Sequence, residues 1–85
     1  MKRYGRMPMF YFHLHNDMDV PDEEGREFPD LAAACDYARK EAIFEASYSA
    51  LEHGRIVLNH RIDVEDENGA VLATVHFGDA VQIVA

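Results

Sequence analysis

The sequence predicts a small α+β domain in which one long helix packs on one face of a single-layer antiparallel sheet. Three segments support this fold class: an alternating apolar segment near the start, an unbroken helical segment in the middle, and a second alternating segment with a central turn. The expected order of elements is β-β-α-β-β. We expect a single α+β domain over residues 7–85 and a flexible N-terminal extension over residues 1–6.

The first strand is predicted within PMFYFHLHN, residues 8–16, because its apolar residues alternate as in a half-buried strand. Its core-facing residues are Phe10, Phe12 and Leu14. His13 and His15 share the opposite face. The acidic segment that follows is typical of a turn, since Asp, Asn, Pro and Gly favour turn conformations. REFP, residues 26–29, is long enough for a short return strand.

The central helix is predicted from Leu31 to about His53. Asp30 is a suitable N-cap residue, nothing between the two ends breaks a helix, and Gly54 stands where a C-terminal glycine cap is expected. At about 100° per residue, one narrow stripe of mostly small side chains forms along this helix. It consists of Leu31, Ala34, Cys35, Ala38, Ala42 and Ala46. Such a stripe lets a helix lie close to a sheet.

A second apolar stripe on the same helix consists of Tyr37, Phe44, Tyr48 and Leu51. One helix on one sheet of this size needs only one buried stripe. Two interpretations follow: the larger residues cover the periphery of the core, or they form a subunit interface, because exposed apolar patches often mark contacts. We therefore treat these four residues as interface candidates.

The last third of the chain predicts a β-hairpin over residues 61–77. Apolar and charged residues alternate in RIDVE, and Asn68 and Gly69 supply the turn, since both tolerate positive φ. The inward-facing residues of the return strand are expected to be Val71, Ala73, Val75 and Phe77. At Gly78 the chain is expected to bend and then to continue as an extended tail.

The chain carries 16 acidic and 8 basic residues, a formal charge of −8. Such a charge argues against a nucleic-acid partner, because nucleic-acid binding draws most of its affinity from neutralising phosphates.

No apolar run approaches the length needed to cross a membrane, so no membrane partner is expected. Cys35 is the only cysteine, which excludes an internal disulfide and a zinc site built from cysteines. A cytoplasmic location is the default expectation.

A metal site is the first chemical candidate. His13 and His15 lie about 6–7 Å apart along one strand face, a spacing that occurs in metal sites built on strands. His76, on the outward side of the last strand, is a candidate third ligand. The alternative is that these histidines simply occupy the half-exposed face of the sheet.

The sequence contains no catalytic set. Hydroxyl residues are few, Cys35 lies in an alanine-rich stripe, and the glycines form neither a P-loop nor a dinucleotide fingerprint. We therefore expect no enzymatic activity and no cofactor.

The segments MPMFYFHLHND, PDEEGREFPDLAAA and IDVEDENGAVLATVHFGDAV together resemble a family of short bacterial proteins, plentiful in rhizobia and related alphaproteobacteria. The resemblance covers nearly all of residues 7–84 and implies a domain of unknown function, with no activity to carry over. His13 falls on the family's motif histidine. His15 falls at a position of varied polar residues, and Cys35 falls where arginine is common. These departures weaken the paired-histidine metal site.

Three hypotheses for function follow. The first is a non-enzymatic protein-interaction module that self-associates as a homodimer, based on the thin core of an 85-residue chain and on the second helix stripe. The second is a small metal-binding protein that uses His13 and His15. The third is an acidic regulatory partner whose negative surface meets a basic protein.

Overall fold

The computed structural model describes residues 7–84. Its elements, in chain order, are β1 (Met9–His15), β2 (Asp19–Val20), β3 (Arg26–Glu27), α1 (Leu31–His53), β4 (Arg61–Glu65), β5 (Val71–His76) and α2 (Phe77–Ala80). The predicted fold class is confirmed: the strands form one antiparallel sheet, and α1 packs on one of its faces. The predicted N-terminal extension, residues 1–6, lies outside the described residues.

The sheet has the strand order β2-β1-β4-β5, and β3 also pairs with β1. β2 pairs with the end of β1 and β3 with its beginning, so both belong to one return arm that runs back along β1. The segment between them, residues 21–25, leaves the sheet. The sequence did not predict β2, because a pairing of two residues leaves no alternation to detect.

Helix α1 spans the range expected from the sequence, because local interactions fix both of its ends. The Asp30 carboxylate accepts a hydrogen bond from the backbone N–H of Ala33 over 2.9 Å. At the other end Gly54 has a left-handed conformation, with φ of 72°, and its N–H donates to the carbonyl oxygen of Ala50.

The core lies between α1 and the sheet. The fully buried helix residues are all alanines: Ala34, Ala38, Ala42 and Ala46. The sheet contributes the larger buried side chains, which are Phe10, Phe12, Ile62 and Val64. Because alanine has no atoms beyond Cβ, the helix lies close to the sheet, and larger residues at these positions would force the two apart. Leu31 and Cys35, predicted in the same stripe, lie at its margin and are exposed and half-buried, respectively.

The hairpin of β4 and β5 is closed by Asp66, whose carboxylate accepts hydrogen bonds from the N–H groups of Asn68 and Ala70. Gly69 has a positive φ of 83° in this turn. A register shift at the start of the hairpin sets Val71 opposite the outward-facing Glu65. The prediction that Val71 faces the core is therefore wrong, and its side chain is exposed.

The bend expected at Gly78 is present, but the extended conformation expected directly after it is wrong. Residues Phe77–Ala80 form the short helix α2, in which the N–H of Val81 donates to the carbonyl oxygen of Phe77 over 3.1 Å. Phe77 and Ala80 are buried in the core, and α2 contacts α1. The chain bends at this point because the bend buries these two apolar side chains.

Within residues 7–84, no helix combines the length and the apolar character needed to cross a membrane.

Candidate functional site

The candidate histidines lie on the face of the sheet opposite α1. His13 pairs across the sheet with Asp63, which pairs in turn with Thr74. His15 pairs with Arg61, which pairs in turn with His76. The three histidines therefore share one face, as the alternation indicates, but strand β4 with its Arg61 lies between His15 and His76.

Both ring nitrogens of His13 are engaged. Its Nδ1 accepts a hydrogen bond from the backbone N–H of Asp22 over 2.9 Å, and its Nε2 lies 3.3 Å from Oε1 of Glu65. An acceptor nitrogen carries no proton, so we assign the proton to Nε2, which donates it toward Glu65. The ring of His13 therefore ties the turn after β2 to the sheet.

Asp22 completes this connection from the other side. Its carboxylate accepts backbone hydrogen bonds from Phe12, Glu24 and Gly25, each over 3.1 Å. The N–H of Phe12 lies in the stretch of β1 between its pairings with β2 and β3, so the carboxylate takes the place of a missing strand partner. We call His13 and Asp22, with these hydrogen bonds, the turn lock.

The protonation of Asp22 reflects these contacts. Partial burial favours the neutral acid and raises its pKa, but the three backbone donors and the nearby His13 favour the carboxylate more strongly. The pKa of Asp22 consequently lies below its ordinary value of 3.8.

Gly25 makes the turn lock sterically possible. Its φ is 72°, and a Cβ atom there would lie 2.8 Å from Cε2 of Tyr11 and 3.0 Å from the carbonyl oxygen of Phe10. Both the backbone conformation and the space exclude a side chain. The spacing of Asp22 and Gly25 is a sequence signal for such a turn, in which an aspartate side chain accepts N–H groups two and three residues ahead.

A second network surrounds His15. Its Nδ1 lies 2.8 Å from Oδ1 of Asp19, and its Nε2 lies 3.2 Å from Oδ2 of Asp63. Asp63 is only 7% exposed and also accepts hydrogen bonds from the Thr74 hydroxyl and from Nε of Arg61. This burial of a carboxylate on the open face was not visible in the sequence, because it depends on neighbours from three strands.

These contacts bear on metal binding. Within the described part of the chain, no three His, Cys, Asp or Glu side chains are placed to hold a metal ion. His76, the third candidate ligand, lies 3.5 Å from Asp79 through its Nδ1 instead. The depression beside His13 and His15 has a volume of about 300 Å³ and is wide open to solvent.

A family comparison adds to this geometry. The family model of a domain of unknown function (DUF6894) matches residues 9–78, which run from β1 into α2. The chain belongs to the DUF6894 family. No curated protein and no solved structure matched the chain. The match includes the whole turn lock, the helix and the hairpin of this DUF6894 domain.

The interface candidates of the DUF6894 domain separate into two groups. Tyr37 packs on the core, with ring centroids 4.8 Å from Phe12 and 5.3 Å from Phe28, and Arg26 lies over its ring. It thus covers the core periphery. The others, Phe44, Tyr48 and Leu51, are 62%, 53% and 82% exposed. We call these three the outer stripe of α1.

A groove separates α1 from the turn lock of the DUF6894 domain. It has a volume of about 280 Å³, and its floor includes the apolar Phe12, while Glu41 and Glu45 contribute to its helix side. Burial and, secondly, the charge of Glu41 raise the pKa of Glu45 above its ordinary value of 4.5. Elsewhere on α1, burial and the charge of Asp36 raise the pKa of the Cys35 thiol, which disfavours the reactive thiolate.

Proposed function

We propose that this DUF6894 chain is a non-enzymatic, homo-oligomeric protein-interaction module of the bacterial cytoplasm, and that two copies pair through the outer stripe of α1. The observation that carries the proposal is the exposure of Phe44, Tyr48 and Leu51 along one side of a single helix. Residues four and three apart are neighbours on a helix, so these side chains form one continuous apolar row. Rows of this kind often mark contacts between proteins.

The outer stripe has no role in the fold of a single copy. The alanine stripe already fills the contact between α1 and the sheet, and the outer stripe lies on the other side of the helix. Burial of a large apolar side chain contributes about 1.5–3 kcal/mol relative to leaving it exposed. Three such residues on each of two copies supply a driving force for association.

Charge complementarity favours a second copy as the occupant. Two α1 helices can pair antiparallel so that Phe44 contacts the partner's Tyr48. The helices then cross at Ala46. Lys40 and Glu52 are equally far from Ala46 on either side, so Lys40 lies beside the partner's Glu52. Lys40 and Glu52 are exposed, and neither forms an ion pair within residues 7–84. Each pair of helices would gain two such ion pairs at the rim of the apolar row.

The non-enzymatic part of the proposal is supported by how the polar groups are used. The ring nitrogens of His13 and His15 are committed to contacts that hold turns and strands together. The hydroxyl of Ser49 donates to the carbonyl oxygen of Arg55. These groups serve the fold, which leaves few side chains for acid–base or nucleophilic chemistry.

Measuring the mass in solution by light scattering or sedimentation tests the proposal. The parent chain is expected to have more than the mass of one copy, and the variant Phe44→Glu/Tyr48→Glu a lower mass than the parent. The matched control is Met18→Glu/Ile83→Glu, which makes the same charge change at two exposed apolar residues outside the stripe. A parent with the mass of one copy, or an equal loss in the control, would contradict the proposal.

A charge exchange tests the antiparallel arrangement. Lys40→Glu and Glu52→Lys are each expected to weaken association, since each places like charges together across the pair. Combining both substitutions in one chain restores opposite charges and should restore the parent mass. If the combined variant associates no better than the single variants, the arrangement is wrong.

A further inference from the structure

Strand β5 presents a free edge of the sheet. It pairs with β4 on one side, and no other strand among residues 7–84 pairs with it. The opposite edge of the sheet differs, because it consists of β2 and β3, which are only two residues long each and so offer few backbone groups. Backbone groups able to bind another strand are therefore concentrated along β5.

The register shows which residues of β5 direct their backbone groups outward. The N–H of Phe77 donates to the carbonyl oxygen of His60 over 2.8 Å, so the backbone groups of Phe77 point toward β4. Backbone direction alternates along a strand, so Val75 and Ala73 also point toward β4. The residues whose N–H and C=O groups point away from β4 are Thr74 and His76, because the alternation is interrupted at Leu72, where the register shifts.

The composition of this edge is unusual for the chain. β5, with the sequence VLATVH, contains no Asp, Glu, Lys, Arg or Pro, whereas the whole chain has a formal charge of −8. Free edges are commonly protected by charged residues or proline. Two copies of a strongly acidic chain repel each other, so they approach most readily where acidic side chains are absent. Val71 and Leu72 add exposed apolar surface at the same edge.

We propose that β5 pairs in antiparallel fashion with β5 of a second copy, about a twofold axis at Val75, so that one sheet continues through both copies. In this register Thr74 lies opposite the partner's His76, and Val75 lies opposite the partner's Val75. Both outward-directed residues then form hydrogen-bonded pairs, which no other antiparallel self-pairing of this strand achieves. The strand is thus complementary to itself.

This contact goes beyond the proposed helix pairing and does not depend on it. It uses a sheet edge, whereas the outer stripe lies on the side of α1 away from the sheet. Either contact can exist without the other. A chain that uses both would form assemblies larger than a dimer, because each copy would then have two different neighbours.

Cysteine cross-linking tests the register. In a Cys35→Ser background, Val75→Cys places two thiols opposite each other, with Cα atoms about 4.5 Å apart in a non-hydrogen-bonded pair, within the range that a disulfide spans. Ala73→Cys is the matched control, because Ala73 shares a face with Val75 and its two copies lie about 13 Å apart along the strands in this register. Under mild oxidation the first variant should form a disulfide dimer and the second should not. Equal cross-linking of both, or of neither, would overturn the proposal.

A backbone substitution tests the hydrogen bonds directly. Thr74→Pro removes the outward N–H, whereas Thr74→Ala keeps it; both lose the hydroxyl contact with Asp63. Proline is tolerated at edge positions whose N–H faces solvent, and circular dichroism would verify the fold. Both substitutions are made in the Phe44→Glu/Tyr48→Glu background, so that any remaining association reports on β5 alone. We expect the alanine variant to remain dimeric and the proline variant to be monomeric by sedimentation.

The two proposals fail in different ways. If the Phe44→Glu/Tyr48→Glu background is already monomeric, the β5 contact is overturned while the helix contact stands. If the parent is dimeric and that background keeps the same mass, the helix contact fails. Should Thr74→Pro not fold, the cross-linking comparison alone decides the β5 contact.

Discussion

The backbone N–H of Asp22 donates a hydrogen bond to Nδ1 of His13 over 2.9 Å, although nine positions separate the two residues in the chain. The Asp22 carboxylate returns the contact by accepting the N–H of Phe12, the residue beside His13. Where the return arm leaves the sheet, the side chains of His13 and Asp22 thus accept two backbone hydrogen bonds that a paired strand would otherwise accept. The histidine on the open face is a structural element of the turn, and this role accounts for both of its ring nitrogens.

Substitutions of His13 should distinguish its two nitrogens. Asparagine can place an acceptor near the position of Nδ1, whereas glutamine reaches farther and places its polar group near Nε2. His13→Gln should therefore lower the free energy of unfolding by about 1 kcal/mol more than His13→Asn, because it leaves the Asp22 N–H without a partner. Urea unfolding measures this difference. His76→Gln serves as a control, and equal losses for the two His13 variants would refute the assigned contact.

Replacing Asp22 should have a larger and pH-dependent effect. Asp22→Ala leaves the N–H groups of Phe12, Glu24 and Gly25 without their acceptor, which should cost about 1–3 kcal/mol at neutral pH. The folded-state pKa of Asp22 is lowered, so this stabilisation is present above pH 3.8 and is lost as the pH falls through the folded-state pKa.

Urea unfolding of the parent and of Asp22→Ala at pH 7 and at acid pH checks this dependence. The difference between the two proteins should shrink as the acid pH is lowered below 3.8. The exposed Glu23 provides a control in the same turn, and Glu23→Ala should change stability by less than about 0.5 kcal/mol. A difference for Asp22→Ala that is constant with pH would show that the carboxylate charge does not stabilise the fold.

Gly25 and Gly69 form a natural pair for separating backbone strain from steric contact. Both have positive φ, 72° and 83°, but a Cβ at Gly25 would lie 2.8 Å from Tyr11, whereas nothing lies within 4 Å of one at Gly69. Gly69→Ala should cost about 1 kcal/mol, the penalty of a left-handed conformation, and Gly25→Ala should cost more. Thermal unfolding compares them. Similar losses would mean that Tyr11 moves aside freely.

The accuracy of the sequence predictions follows from how local each signal is. Asp30 and Gly54 act within one helical turn of the ends that they cap, so the bounds of α1 could be predicted. The facing of Val71 depends on a register shift between two strands, which composition does not show. The helical conformation of Phe77–Ala80 depends on the burial of Phe77 and Ala80 in the core, a tertiary effect that outweighs the local preference for an extended tail.

In the candidate site, too, the local features could be predicted and the long-range contacts could not. The alternation of β1 places His13 and His15 on one face, as the sequence indicates. Which groups they contact is decided by the path of the return arm, and that path is set by Asp22 and Gly25. Asp22 could have been singled out from the other acidic residues by its spacing to Gly25. The buried Asp63 could not, since its neighbours come from other strands.

Glu45 should show the opposite pH dependence to Asp22. Burial in the groove and the nearby Glu41 raise its folded-state pKa above 4.5. As the pH rises from the unfolded-state pKa to the folded-state pKa, the carboxyl group ionises more readily in the unfolded chain, so its ionisation lowers the stability of the fold. Glu45→Gln should therefore be more stable than the parent at pH 7, and this gain should vanish below pH 4.5, where the parent residue is protonated in both states. Glu41→Gln should give a smaller gain of the same sign, because it removes only the secondary cause. Urea unfolding at the two pH values checks both variants, and a loss of stability at pH 7 for Glu45→Gln would mean that its carboxylate has a favourable partner in the groove.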